Sequence, residues 1–216
     1  MKSILVIGMG KFGRHLALQL QELKNEVMIV DQDDALVEEL APDFTDAQIG
    51  DCTNENILKS LGINNFDICF VTVGGNFQAS LEITALLSDL GAKRVVSEAA
   101  SDIHAKFLLQ NGADEVIYPE KDMAKKAAFK YSANNIFDYV EISPEYAIFE
   151  MPVPAIWVDK SISELNVRGK YHVNILAMKT DGSFMPMPGA DYVFSGSEHM
   201  IVLGKKNEVM KMSYKA

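Results

Sequence analysis

A continuous apolar run near the amino terminus, Ile4–Ile7, is followed at once by the glycine-rich segment GMGKFG, residues 8–13. The next segment, residues 11–23, places its apolar side chains on one helix face. An unbroken apolar strand is typical of a parallel sheet covered on both faces. A glycine-rich turn from such a strand into a helix is typical of nucleotide-binding α/β folds. This combination constrains the fold more than any other feature of the chain.

The same alternation of strand and helix patterns continues to about residue 134. Further strands are predicted at 26–31, 47–49, 67–73, 94–98 and 115–118, and further helices at 33–40, 54–61, 77–90, 103–110 and 123–134. Asp33 is the predicted N-cap of the second helix. The pattern predicts an α/β fold in which residues 1–134 form a Rossmann domain with a doubly wound parallel sheet.

Beyond residue 134 the elements become shorter and the alternation is lost. Strands are predicted at 146–151, 173–179 and 200–203, helical segments at 161–165 and 207–212, and a hairpin turn at Asp181-Gly182. Residues 135–216 are therefore predicted to form a small α+β domain. A domain of this size buries little apolar surface by itself, so we expect it to dimerise.

Composition excludes several classes of function. The net charge of −10 argues against nucleic acid as a partner, because phosphate backbones are bound by clusters of Lys and Arg. No apolar run approaches the roughly 20 residues that span a bilayer, so we expect a cytoplasmic protein. The two cysteines, Cys52 and Cys69, lack metal-ligand spacing and are predicted to be buried, reduced thiols.

Each glycine of the loop has a predicted role in binding a nucleotide. Gly8 allows the tight turn, Gly10 lets the backbone approach a pyrophosphate, and Gly13 lets the helix pack close to the strand. The charge of Lys11 can either reach a terminal phosphate of ATP or ADP or remain in solvent. Phosphates at this point would meet the unpaired N–H groups of the helix amino terminus.

Two carboxylates follow neighbouring predicted strands. Asp31 ends the second strand, about 20 residues after the loop, where a carboxylate accepts hydrogen bonds from ribose hydroxyls and disfavours NADP. Asp51 follows the third strand, where an adenosine edge would lie. Either residue could instead be a solvated acid at a strand end.

Residues for catalysis are not apparent. None of the four histidines lies in a recognisable catalytic setting, and there is no Ser-His-Asp arrangement or Walker loop. We therefore expect no enzymatic activity and assign no catalytic residue. A small NAD-dependent oxidoreductase and a redox sensor that reads NADH remain the alternatives.

The chain resembles the RCK-domain (regulator of potassium conductance) subunits of Ktr and Trk potassium-uptake systems, and the Ktr type most of all. The resemblance covers essentially the whole chain and is carried by the segments GMGKFG, EVMIVD, GDCTNE, VTVGGNFQAS, NGADEVIYPEKDMA and SISELNVRGKYHVNILAM. It implies a TrkA-N domain over residues 1–134 and a TrkA-C domain over residues 135–216. Lys11 departs from the arginine usual in Ktr-type loops.

The resemblance implies that the first domain binds ATP or ADP, or in some relatives NAD or NADH. The implied site residues are Gly8, Met9, Gly10, Lys11, Phe12, Gly13, Asp31, Asp51, Cys52, Thr53, Val73, Gly74, Gly75, Asn76 and Gln78. It also implies that Glu120 helps to bind Mg²⁺ or Ca²⁺ near the nucleotide. The alternative is that Glu120 is an acidic residue favoured by a helix amino terminus.

The resemblance further implies a second ligand and an assembly. Cyclic di-AMP would bind at the dimer interface of the second domain, at Ile162, Ser163, Asn166, Arg168 and Asn174, which could otherwise form a plain dimer interface. Dimers would assemble into an octameric ring beneath a membrane potassium-translocating subunit. The protein would then be cytoplasmic and peripheral to the membrane through this partner.

Overall fold

The computed structural model describes residues 1–132, 135–180 and 182–213. The chain divides into two compact units, Met1–Asp122 and Met123–Ala216, each considered by itself below. The domain border expected between residues 134 and 135 adjoins residues outside the described part and stays a prediction. Within the described residues, no helix has both the length and the apolar character needed to cross a bilayer.

The first unit is built on a parallel sheet with strand order β3-β2-β1-β4-β5-β6. The strands are β1 (Ser3–Ile7), β2 (Glu26–Asp31), β3 (Asp46–Ile49), β4 (Ile68–Val71), β5 (Val95–Glu98) and β6 (Glu115–Ile117). The helices are α1 (Lys11–Glu22), α2 (Asp34–Leu40), α3 (Glu55–Leu61), α4 (Phe77–Asp89), α5 (Asp102–Gln110) and α6 (Pro119–Ser132), the last of which crosses the border between the units. The predicted Rossmann topology is confirmed.

Strand β1 shows why an unbroken apolar run predicts this sheet. Ile4 and Val6 pack into a core with residues of α1 and α2, whereas Leu5 and Ile7 pack into a second core with residues of α3 and α4. Successive side chains of a strand point to opposite faces, so a strand covered on both faces must be apolar throughout.

Local signals set most helix boundaries. The side chain of Asp33 accepts a hydrogen bond from the Leu36 N–H and caps α2, as predicted. The helix predicted from residue 123 begins earlier, at Pro119. The fixed φ of proline suits the first helical position, and Glu120 places a negative charge in the first turn, where the helix dipole favours it. The predicted end of this helix at residue 134 lies outside the described residues.

The second unit contains a five-stranded sheet with order β10-β9-β11-β8-β7. Its strands are β7 (Asp138–Glu141), β8 (Tyr146–Pro152), β9 (Val173–Thr180), β10 (Ser183–Pro186) and β11 (His199–Lys205), and its helices are α7 (Ile162–Leu165), α8 (Val167–Tyr171) and α9 (Lys206–Ser213). Trp157, Phe149 and Phe194 are fully buried in its core. This arrangement confirms the predicted small α+β fold.

The edge strands of this sheet have a weak sequence pattern. Strand β7 was not predicted, because only Tyr139 of its four residues is buried and its sequence shows no alternation of apolar and polar residues. Asp181 of the predicted hairpin turn lies outside the described residues. The flanking strands β9 and β10 pair antiparallel, with Ser183 opposite Thr180.

Candidate functional site

A cleft opens at the carboxyl ends of the central strands of the first unit. The strand order reverses between β1 and β4, and ligands of open α/β sheets bind in the crevice at such a switch point. Two adjoining cavities form the cleft. The β3 cavity, of about 360 Å³, reaches the residues that follow β3, and the loop cavity, of about 410 Å³, lies on the glycine loop.

Nearly all residues predicted for the first domain line this cleft. The β3 cavity includes Asp51, Cys52, Thr53 and Gln78, the loop cavity includes Gly10, Lys11, Phe12, Gly74, Gly75 and Glu120, and Gly8, Asp31, Val73 and Asn76 line both. The two exceptions are Met9, whose side chain is buried in the core, and Gly13, which is buried in α1. The fold therefore brings together residues that are up to 112 positions apart, from Gly8 to Glu120.

The glycines of the loop meet different constraints. Gly8 has φ +97°, and a Cβ there would lie 2.6 Å from a methyl carbon of Val73. A Cβ on Gly13 would lie 2.1 Å from the carbonyl oxygen of Gly8. A Cβ on Gly10, by contrast, would meet no atom closer than 4.0 Å. Gly8 and Gly13 are thus required by packing, whereas the space above Gly10 is open to a ligand.

The amino-terminal end of α1 faces the loop cavity. Gly10 is the N-cap and has no side chain that could accept a hydrogen bond from the first turn. The first N–H groups of a helix have no partner within the helix, and they carry a partial positive charge. Lys11 is exposed next to them and takes part in none of the ion pairs found among the described residues. This end of the cleft is therefore suited to an anion.

Thr72, which the sequence analysis missed, holds the loop in place. Its hydroxyl donates to the carbonyl oxygen of Gly8 at 2.6 Å and lies 3.0 Å from that of Ile7. It immediately follows β4, and its side chain is buried. A polar residue directly after an apolar strand was the available signal, but its partners lie more than 60 positions earlier in the chain.

Asp31 connects the end of β2 to the loop. Its Oδ2 accepts a hydrogen bond from the Met9 N–H at 2.5 Å, and its Oδ1 accepts one from the Asp33 N–H at 3.0 Å. Each carboxylate oxygen has a second acceptor site, so Asp31 can also receive hydroxyl groups of a ligand.

The β3 cavity is bordered by a short turn after β3. The Oδ1 of Asp51 accepts hydrogen bonds from the N–H and the hydroxyl of Thr53, at 2.9 and 2.7 Å. Burial, together with the charges of Asp51 and Asp31, raises the pKa of the Cys52 thiol to about 12. This thiol stays protonated near neutral pH and is a poor nucleophile.

The loop cavity also contains a carboxylate that the sequence analysis missed. Glu98 ends β5 and lies against Gly74 and close to Glu120. Burial is the main cause that raises the pKa of Glu98, the charge of Glu120 adds to it, and a hydrogen bond from Gly74 opposes it. Glu98 and Glu120 are the acidic pair at this edge. Within the described ranges, no group of three or more His, Cys, Asp or Glu side chains is arranged to hold a metal ion.

The residues predicted to bind a second ligand lie around α7, α8 and β9 of the second unit. Ile162 packs against the core of this unit, and Ser163, Asn166, Arg168 and Asn174 are exposed. Asn166 has φ +44° between the two short helices. A cavity of about 250 Å³ in the same unit is lined by other residues, among them Trp157 and Lys170.

Family profiles and known proteins resemble the chain along nearly its full length. Residues 4–119 match the TrkA-N domain, and residues 146–213 match the TrkA-C domain. The Ktr system potassium uptake proteins C and A of Bacillus subtilis (strain 168) are each 37% identical over 210 residues, which cover 97% of this chain and 95% of theirs.

Solved structures resemble the fold. The RCK domain of GsuK superposes with a TM-score of 0.68 at 16% identity and covers 99% of this chain, which spans 47% of that one. The GsuK channel solved with NAD bound has the same TM-score and identity, and there this chain spans 39% of the other. These likenesses confirm the fold class.

Proposed function

Because the chain belongs to the TrkA-N and TrkA-C family of Ktr potassium-uptake proteins, we propose that it is a non-catalytic regulatory subunit whose first unit binds an adenine nucleotide. The observation that carries this proposal is the uncapped amino-terminal end of α1, which faces a cleft at the switch point of the sheet. The diphosphate lies on the loop at Gly10, and Asp31 receives the ribose hydroxyls. The adenosine end extends toward Asp51 in the β3 cavity.

The composition of the cleft favours binding without catalysis. No histidine is among the described residues that line it, and the Cys52 thiol remains protonated. A hydride-transferring enzyme needs an acid or base next to its substrate. In this proposal Asp31 holds the ribose and Glu120 helps to hold a cation.

ATP and ADP are the proposed ligands, with NAD and NADH as the second choice. ATP and ADP differ by one phosphate, so only contacts with that phosphate can shift the protein between two conformations. Lys11 is the cation placed to make such a contact. NAD is supported by the structurally similar GsuK channel, which has been solved with NAD bound. Glu120 would help to hold Mg²⁺ or Ca²⁺ against the phosphates.

The partner is proposed to be a membrane potassium-translocating subunit, with this protein on its cytoplasmic side as a ring of eight copies. Helices α4 and α5 expose a group of apolar side chains that a second copy could cover. These are Phe77, Ile103 and Phe107, which are 45%, 56% and 40% exposed. The rings of Phe77 and Phe107 are in edge contact, with centroids 6.0 Å apart.

Cyclic di-AMP is proposed as a second ligand, bound between two copies of the second unit. Arg168 is exposed there and can pair with a phosphate, and the exposed Asn174 can contact an adenine edge. Allostery between this site and the cleft requires that the two ligands favour different conformations.

Thermal unfolding with a panel of ATP, ADP, NAD and NADH tests the proposal. A ligand at 100 times its dissociation constant stabilises the native state by about 2.7 kcal/mol, so a true ligand raises the melting temperature clearly. A protein whose melting temperature is the same with every adenine nucleotide would contradict the proposal. Oxidation of NADH, followed by its absorbance with a range of carbonyl substrates, would instead support an oxidoreductase.

A further inference from the structure

We infer that Glu98 is a specificity-determining residue of the loop cavity, where its carboxylate disfavours a terminal phosphate and favours NAD over ATP when no divalent cation is present. The inference rests on the proposed function, because it assumes that the nucleotide's diphosphate lies on the glycine loop. It concerns a residue that no motif of the sequence singles out.

The surroundings of Glu98 hold its carboxyl group in place. The Cγ and Cδ of Glu98 lie 3.0 and 3.1 Å from the position that a Cβ of Gly74 would occupy. The Oε1 of Glu98 lies 3.4 Å from the same position, so the carboxyl group packs against Gly74. Both residues line the loop cavity together with Gly10 and Lys11. The carboxyl group of Glu98 therefore lies at the cavity wall, packed against Gly74.

The charges of the loop cavity are unbalanced. Among the described residues that line it, Lys11 is basic, whereas Asp31, Glu98 and Glu120 are acidic. The terminal phosphate of ATP would add about two negative charges near neutral pH, whereas NAD has no terminal phosphate. Repulsion between charges is stronger in a partly dehydrated cleft than in bulk water.

Glu120 adds a second acidic group to the cavity beside Glu98, whereas the remaining groups do not discriminate in the same way. The N–H groups at the start of α1 attract the diphosphate that both nucleotides share. Asp31 is already bound to the Met9 N–H and lies at the ribose end. Glu98 thus opposes the extra phosphate of ATP, and Lys11 favours it. A divalent cation on the phosphates would cancel much of the repulsion.

Calorimetric titration of ATP and NAD in EDTA, with wild type and Glu98→Gln, tests the inference. Glutamine keeps the shape of the side chain and one oxygen acceptor, and it removes the charge. We expect ATP affinity to rise about tenfold, or ~1.4 kcal/mol, and NAD affinity to change much less. Glu98→Lys should raise ATP affinity further, and Mg²⁺ should reduce the gain.

Glu115→Gln is the matched control. Glu115 begins the neighbouring strand β6, at the opposite end of the sheet from the cleft, and pairs with Arg94 on the surface. Glu115→Gln changes the net charge of the protein by the same amount as Glu98→Gln, but it should leave the ratio of ATP to NAD affinity unchanged. An unchanged ratio in Glu98→Gln, or a gain that persists undiminished in Mg²⁺, would overturn the inference while the proposed function stands. A wild type that binds neither nucleotide would overturn both.

Discussion

Replacement of Gly13 by alanine should destabilise the first unit, although alanine has a higher helix propensity than glycine. The added Cβ would lie 2.1 Å from the Gly8 carbonyl oxygen and 2.4 Å from the Thr72 hydroxyl. The Gly8 carbonyl belongs to the backbone and cannot move aside as a flexible side chain can. The added methyl group should therefore lower the free energy of unfolding by about 3 kcal/mol, the upper end of the range for overpacking. The higher helix propensity of alanine returns about 1 kcal/mol. The net loss of about 2 kcal/mol lowers the melting temperature by roughly 4–8 °C.

Gly10→Ala is the control for this prediction, because a Cβ there meets no atom closer than 4.0 Å. It should lower stability by less than about 1 kcal/mol and yet weaken nucleotide binding, since the new methyl group occupies the space proposed for the diphosphate. Differential scanning calorimetry and nucleotide titration of both variants measure the two effects. If Gly13→Ala melted within a degree of the wild type, the close-packing argument would be refuted.

Three further changes test separate contacts. Lys11→Ala should reduce the ratio of ATP to ADP affinity about fivefold or more, as expected for a charge-assisted contact; titration with both nucleotides measures it, and an unchanged ratio excludes Lys11 as the discriminator. Thr72→Val should lose about 1–2 kcal/mol in urea unfolding, because the buried Gly8 carbonyl loses its hydroxyl donor; an unchanged midpoint would contradict this role. Burial lowers the pKa of His104 from its usual 6.5, so its contribution to stability is complete above the unfolded pKa and is lost as the pH falls below it. The melting temperature of His104→Gln, which keeps an acceptor for the Ala100 N–H, should therefore decline less between pH 7.5 and 5.5 than that of wild type; equal declines would rule out His104 as the cause.

Local sequence was sufficient where neighbours along the chain determine the structure. The apolar run 4–7 and the glycine pattern that follows it specify a strand, a tight turn and a helix start within about a dozen residues. The capping of α2 by Asp33 is a contact across three residues. Asp31 was predicted correctly to end β2, where the cleft lies.

Contacts between segments that are distant along the chain could not be predicted from the local sequence. Glu98 is a polar residue at the end of a mainly apolar strand, and the sequence gives no further sign of its role. It becomes part of the cleft because β5 lies beside β4 in the sheet. The close approach of Gly13 to Thr72 likewise depends on how α1 crosses the sheet.

The amino-acid sequence by itself determined the Rossmann class and the glycine-rich turn after β1, because each depends on periodicity or on turn chemistry over short distances. The wider cleft lining was implied by the resemblance to a family and not by local pattern. Only the tertiary structure decided which buried groups support that loop and which charges surround it. Thr72 and Glu98 acquire these positions from parallel strand pairing, in which the neighbours of a residue are set by sheet order and not by proximity along the chain.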